Sequence, residues 1–137
     1  MLLAVLSCHQ PQTPISRAYR EGGADGLRAA AEILADDIEA EAIEDGAGFV
    51  HWDKGAPHLN TAFALLTLLN TGRHSPLTDV GAAYLEKEQD PKLDTWDEEV
   101  FFMARLEGGQ QVCWVCAALT TAMALEALWE DETISRP

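Results

Sequence analysis

The chain has 137 residues, 47% of them hydrophobic, and its 23 acidic and 9 basic side chains give a formal net charge of −14. This length corresponds to a single domain with a buried core. The negative charge argues against nucleic acid and anionic membrane surfaces as partners, because both need Lys and Arg as counter-charge. No stretch approaches the roughly 18 apolar residues of a membrane-spanning helix. Three cysteines, an odd number, favour a reducing compartment, so we expect a cytoplasmic protein.

The first half of the chain predicts two helices separated by a loop. Asp25 is a good N-cap for a helix that runs to about Ile43, with apolar residues at helical spacing. The next helix, Leu59–Asn70, is apolar nearly all round, which is typical of a helix enclosed on both sides. Thr71-Gly72 ends it.

The second half predicts the same order again. Ser75 caps a helix that begins at Pro76, where the missing N–H costs nothing, and that ends before Pro91. A short helix is predicted from Thr95, because Thr95 and Glu98 have capping-box spacing. The last helix, Cys116–Trp129, is again apolar nearly all round.

An internal repeat is therefore predicted. The segments "PHLNTAFALLTLL" and "AALTTAMALEAL" align Thr61 with Thr121, and the upstream "FVHWD" and "QVCWV" align Trp52 with Trp114. Each unit would pair an outer amphipathic helix with an inner apolar helix, and stacked units would share a core.

The repeats set the predicted boundaries within the single domain. Repeat 1 covers about residues 25–72 and repeat 2 about residues 75–131. Residues 1–24 form an N-terminal segment that is interpreted as a remnant of a preceding repeat.

The segment "GAAYLEKEQDPKLDTW" resembles the repeat motif of squalene-hopene cyclases and related prenyltransferase-type α/α toroids. Gly81, Leu85, Gln89 and Trp96 match that motif, and Asp94 stands where a second Gly is usual. The resemblance implies an all-α fold, an α/α toroid-like stack of helical hairpins with two repeats and an incomplete ring. It implies little about chemistry, because many activities use one scaffold.

The acid of the cyclase reaction is missing from this sequence. In the resembling cyclases an Asp-x-Asp-Asp-Thr-Ala motif at the entrance of an inner helix protonates an alkene. Neither copy of the repeat has an aspartate at the corresponding positions, which are Pro57, Leu59 and Asn60 in the first and Ala117, Leu119 and Thr120 in the second. Leu and Asn cannot donate such a proton, so class II cyclase chemistry is not expected here.

A zinc site is a second hypothesis, because related prenyltransferases hold zinc with Asp, Cys and His. If the two tryptophan loops are equivalent, five residues gather at one rim: His51, Asp53, His58, Cys113 and Cys116. The alternative is that the Cys-x-x-Cys pair packs as two small hydrophobic residues. No other cofactor is indicated.

Aromatic residues in the loops predict an apolar pocket. In the resembling cyclases such rings stabilise carbocations through their π faces. The pocket candidates are the aromatic residues Trp52, Phe102 and Trp114, together with Leu59, Asn60 and Thr120 at the helix entrances. The alternative is that the aromatic rings act as packing wedges between repeats.

The leading functional hypothesis is a cyclase- or prenyltransferase-like domain that binds an apolar, isoprenoid-type ligand and lacks class II acid chemistry. The alternative is a non-catalytic protein-interaction or scaffold module, and a third is a zinc-dependent prenyltransferase-like enzyme. An open stack would expose apolar inner faces, which usually mark an interface. We therefore expect a homo-oligomer, or a partner chain, to complete the ring.

Overall fold

The computed structural model describes residues 14–135. The chain divides into two compact units, Met1–Ala40 and Glu41–Pro137. The first contains helix α1, Pro14–Ala40, which is broken at Gly23, where φ is 58°. Glycine adopts this left-handed conformation at low cost because it lacks a Cβ. Of the predicted N-terminal segment 1–24, residues 1–13 lie outside the described residues.

The second unit contains the remaining elements. In chain order they are β1 (Ile43–Glu44), β2 (Val50–His51), α2 (Pro57–Asn70), α3 (Pro76–Glu88), β3 (Val100–Arg105), β4 (Gln111–Val115) and α4 (Ala117–Ser135). The sequence prediction of helices over 59–70 and from Pro76 is confirmed. Predicted repeat 1 crosses the boundary between the two units, so the pairing of its two helices stays a prediction.

The all-α prediction is wrong, because the second unit also contains two antiparallel two-stranded sheets. Strand β1 pairs with β2, with Ile43 opposite His51. Strand β3 pairs with β4, with Val100 opposite Val115. The fold is mixed α/β, and the toroid-like stack made only of helical hairpins is not what the chain adopts.

The β3–β4 hairpin replaces the helix that was predicted from Thr95. No helix begins there, and β3 starts at Val100. The two strands of the hairpin, "VFFMAR" and "QVCWV", are rich in the β-branched and aromatic residues that favour strands. Gly108 and Gly109 both have positive φ, at 96° and 82°, which the turn requires. A Gly-Gly pair between two such runs is a hairpin signal, and it outweighs the capping-box spacing.

Helices α2, α3 and α4 pack against one another and form the core of the second unit. Its fully buried side chains include Leu65, Leu68, Leu85 and Trp96. Helix α4 is not enclosed on both sides as predicted, because one of its faces remains exposed. That face carries Ala118, Ala122, Leu125 and Trp129. In the described part of the chain, no helix combines the length and the apolar character needed to cross a membrane.

A tryptophan loop precedes each inner helix and is tied to it in the same way. The backbone N–H of Trp52 donates to Thr61 Oγ1 at 3.1 Å, and that of Trp96 donates to Thr121 Oγ1 at 3.2 Å. The equivalent of Trp52 is therefore Trp96, and the predicted alignment with Trp114 is wrong. The Trp–Thr separations are 9 and 25 residues. The difference equals the length of the segment Val100–Val115, so under the predicted repeat the β3–β4 hairpin would be an insertion in the second copy.

Two positions of the segment that carries the resemblance have special backbone environments. A Cβ added at Gly81 would lie 3.1 Å from both Leu65 Cδ2 and Trp52 Cζ3, so any larger residue would force these side chains to shift. Asp94, where the motif has a second Gly, has a φ of 53°. That is the left-handed region, in which Asp and Asn are the most tolerated non-glycine residues.

Candidate functional site

The six predicted pocket residues fall into two separate sets. Trp52, Leu59 and Thr120 are buried in the core of the second unit, and half-buried Asn60 donates from Nδ2 to Asp53 Oδ2 at 3.0 Å. The remaining two lie on the β3–β4 hairpin.

Phe102 and Trp114 form an exposed aromatic pair on that hairpin. Their ring centroids are 5.0 Å apart and the rings are inclined at 55°, within the range of favourable aromatic pairs. The side chains are 55% and 43% exposed. These two rings therefore present a surface to solvent and do not share an enclosed pocket with Trp52.

A buried carboxylate holds the N-terminus of α2. Glu99 Oε1 accepts the backbone N–H of His58 at 2.9 Å, and Oε2 accepts that of Leu59 at 2.7 Å. Ala56, the N-cap residue, has no side chain able to accept them. Glu99 thus supplies the cap from 40 positions along the chain, in the way that Ser or Asp does locally.

The same carboxylate forms an ion pair with His58. Nδ1 lies 3.0 Å from Glu99 Oε1. The carboxylate raises the pKa of His58 above its usual value. Burial acts to raise the pKa of Glu99, but His58 and the two backbone N–H groups together outweigh it and hold that pKa below its usual value.

Two histidine rings lie against Tyr84 beside this pair. The centroids of His51 and His58 are 5.2 and 6.0 Å from that of Tyr84. Burial, followed by the negative charge of Glu88, raises the pKa of Tyr84 to about 12. Tyr84 is therefore a neutral phenol at physiological pH, and the cluster acts as a packed support for the α2 N-terminus.

The five predicted zinc ligands do not come together in one cluster. His51 Nδ1 is 3.0 Å from the carbonyl oxygen of Asp53, and Asp53 Oδ1 accepts the backbone N–H groups of Lys54 and Gly55. Cys113 and Cys116 are free thiols, the first exposed and the second half-buried. None of these residues, nor His58, belongs to the group that brings three ligand atoms together in the described residues.

That group consists of His74, Asp79 and Asp131, which sequence reasoning missed. His74 follows α2, Asp79 is in the first turns of α3, and Asp131 is in α4. His74 Nε2 is 3.2 Å from Asp79 Oδ1 and 3.4 Å from Asp131 Oδ1. His74 and Asp79 are near each other in the sequence, but Asp131 is distant from both and no motif spacing links it to them, so only the packing of the helices reveals the group.

Exposed apolar side chains are concentrated in the C-terminal part of the described chain. Of the 12 large apolar side chains that are exposed, all but Ile33, Leu34 and Leu93 fall between residues 101 and 134. They are Phe101, Phe102, Met103, Leu106, Trp114, Val115, Leu125, Trp129 and Ile134. Isolated apolar side chains on a surface are normal, whereas large contiguous apolar patches are typical of interaction sites.

Comparison of the chain with protein-family models, with curated proteins and with solved structures gives no match. The resemblance to the squalene-hopene cyclase and prenyltransferase family stays a prediction, carried by the residues of the repeat motif alone.

Proposed function

We propose that the protein is a docking module that binds a basic, amphipathic helix of a partner protein. The observation that carries the proposal is the concentration of exposed apolar side chains between Phe101 and Ile134. Within this region we define the docking face as the exposed stripe of α4, Ala118, Ala122, Leu125 and Trp129.

The spacing of the docking face suits a helical partner. Its residues are separated by four, three and four positions, so they form one stripe along α4. Two small residues followed by Leu and Trp allow a second helix to approach closely at one end and to pack around a large anchor at the other. Trp129, with 68% of its surface exposed, is the anchor. Tryptophan is among the residues that dominate binding energy in interfaces.

Charge selects the kind of partner. Helix α4 carries Glu126, Glu130, Asp131 and Glu132 and has no Lys or Arg over Ala117–Ser135. A partner helix whose apolar stripe is flanked by Lys and Arg would gain both burial and opposite charge. A second copy of this chain would place acidic residues against acidic residues, so self-association through this face is disfavoured.

The experiment uses two short labelled model helices, one of Leu and Lys and one of Leu and Glu, with the same apolar stripe. Fluorescence anisotropy with the intact protein is expected to show binding of the Leu/Lys helix and none of the Leu/Glu helix. Leu125→Ser with Trp129→Ser should weaken the binding about tenfold or more, and this change leaves the charge untouched.

Leu93→Ser is the matched control, because Leu93 is 70% exposed and lies outside the docking face. Binding of the Leu/Lys helix that survives Leu125→Ser with Trp129→Ser would be charge attraction alone and would overturn the proposal. So would a stable dimer in light scattering that the same two changes convert to a monomer.

Isoprenoid binding, the leading sequence hypothesis, stays a second proposal. The exposed Phe102 and Trp114 pair supports it, because two inclined rings 5.0 Å apart offer an apolar contact for an extended chain. Farnesol is expected to quench tryptophan fluorescence in the intact protein and to lose this effect in Trp114→Ser. An unchanged spectrum at saturating farnesol would refute it.

A further inference from the structure

We infer that His74, Asp79 and Asp131 form a zinc-binding site at the end of the helical core where α2 leads into α3. Each residue offers one ligand atom, and these atoms all lie within 4.8 Å of one another. An imidazole nitrogen with two carboxylate oxygens is a donor set that zinc accepts. The inference does not depend on the docking module proposed above.

The distances suit a tetrahedral ion. For bonds of about 2.0–2.1 Å between zinc and nitrogen or oxygen, adjacent ligands of a tetrahedron are about 3.3–3.4 Å apart. Two of the edges that meet at His74 Nε2 measure 3.2 Å to Asp79 and 3.4 Å to Asp131. An ion would therefore need only small side-chain movements.

Asp131 supplies a second and independent observation. Its Oδ1 is buried, and the His74 imidazole 3.4 Å away forms an ion pair with it but no directed hydrogen bond. A buried carboxylate oxygen beside a second carboxylate is poorly compensated by one imidazole. A divalent cation would compensate both charges.

The backbone holds the three ligands in place. Ser75 and Thr78 form a reciprocal capping box at the start of α3, with Ser75 N donating to Thr78 Oγ1 at 3.0 Å. This box lies between His74 and Asp79 in the chain and fixes their relative position. Asp131 comes from α4, which packs against both α2 and α3.

Zinc is favoured over the other common divalent cations. Calcium needs six to eight oxygen ligands and magnesium a near-octahedral set, whereas this site offers three atoms, one of them nitrogen. Among first-row metals, manganese and iron(II) bind such ligands weakly, and copper(II) and nickel(II) prefer square-planar or tetragonal geometry to a tetrahedral one. The side chains of His74 and Asp79 are 34% and 56% exposed, so solvent can reach a fourth position. Three protein ligands and a water are the arrangement of reactive zinc sites.

The test is calorimetric titration of the metal-free full-length protein with zinc chloride at neutral pH, with calcium chloride as a parallel probe. One zinc per chain and no calcium are expected. His74→Ala and the near-isosteric Asp131→Asn should each weaken zinc binding about tenfold or more. Circular dichroism of each variant separates loss of the site from loss of the fold.

Two variants serve as matched controls, since they remove residues of the zinc set predicted from sequence. His51→Ala and Cys113→Ser with Cys116→Ser should leave zinc affinity unchanged. Cobalt(II) should give the visible absorption of a tetrahedral site, without a thiolate charge-transfer band. No zinc uptake would overturn the inference and leave His74 as an ion-pair bridge between two aspartates. Uptake that is lost with the cysteines and retained in His74→Ala would also overturn it.

Discussion

Replacing Glu99 with Ala should destabilise the second unit by about 2–4 kcal/mol. The carboxylate is only 7% exposed, and it caps two backbone N–H groups of α2 besides pairing with His58. Loss of a cap costs about 1 kcal/mol, and each buried donor left without a partner costs about 1–3 kcal/mol. Breaking a buried ion pair costs about 3–5 kcal/mol. The total stays below the sum because His58 can release its proton.

Urea unfolding monitored by far-ultraviolet circular dichroism measures this loss. With a slope of about 1–3 kcal/mol per molar urea, the midpoint should fall by roughly 1–2 M. Glu99→Gln keeps one acceptor oxygen and should lose about half as much. Glu98→Ala is the matched control, because Glu98 is the exposed neighbour and should change stability by less than about 0.5 kcal/mol. A Glu99→Ala protein as stable as Glu98→Ala would refute the capping role.

The pH dependence of this difference has a definite sign. The raised pKa of His58 adds stability that is fully present below the ordinary value of 6.5 and is lost as pH rises through the folded-state pKa. The lowered pKa of Glu99 adds stability that is present above 4.5 and is lost as pH falls through its folded-state pKa. The stability difference between wild type and Glu99→Ala should therefore be largest between these two values. A difference that does not vary with pH would show that the ion pair contributes nothing.

Two further changes test the packing of the repeat and the insertion. Gly81→Ala should destabilise by about 1–2 kcal/mol, although alanine is the better helix former, because its Cβ would contact two core side chains at 3.1 Å; an increase in the urea midpoint would contradict this close approach. Deleting the segment Val100–Val115 should leave a folded protein. Its end residues, Val100 and Val115, are paired across the hairpin with Cα atoms about 5 Å apart, so the chain can be rejoined there. A cooperative thermal transition with unchanged helical circular dichroism is the expected result, and loss of that transition would show that the hairpin belongs to the core.

The sequence predicts the helices of the second unit well, because their signals are local. Pro76 at the first helical position and the Ser75 N-cap define the start of α3. The apolar run before Asn70 defines α2, and Thr71-Gly72 marks where it ends. These predictions depend only on short-range backbone chemistry, so they are correct although the predicted all-α fold class is wrong.

The hairpin and the sites escape prediction for different physical reasons. The segment "VFFMARLEGGQQVCWV" has the pattern of a β-hairpin. The predicted alignment of Trp52 with Trp114 assigned its second strand to the repeat, so the first strand was left without a partner. The cap of α2 and the cluster around His74 depend on residues brought together across 40 or more positions. No periodicity in the sequence encodes such contacts.

The Trp–Thr hydrogen bonds connect these results. Each of these helices is fixed to the loop before it through a backbone donor, Trp52 for α2 and Trp96 for α4. A segment inserted between the tryptophan and the threonine can vary freely as long as its ends stay close, and an antiparallel hairpin satisfies that condition. The core therefore tolerates a hairpin whose apolar side chains face solvent and contribute little to its stability.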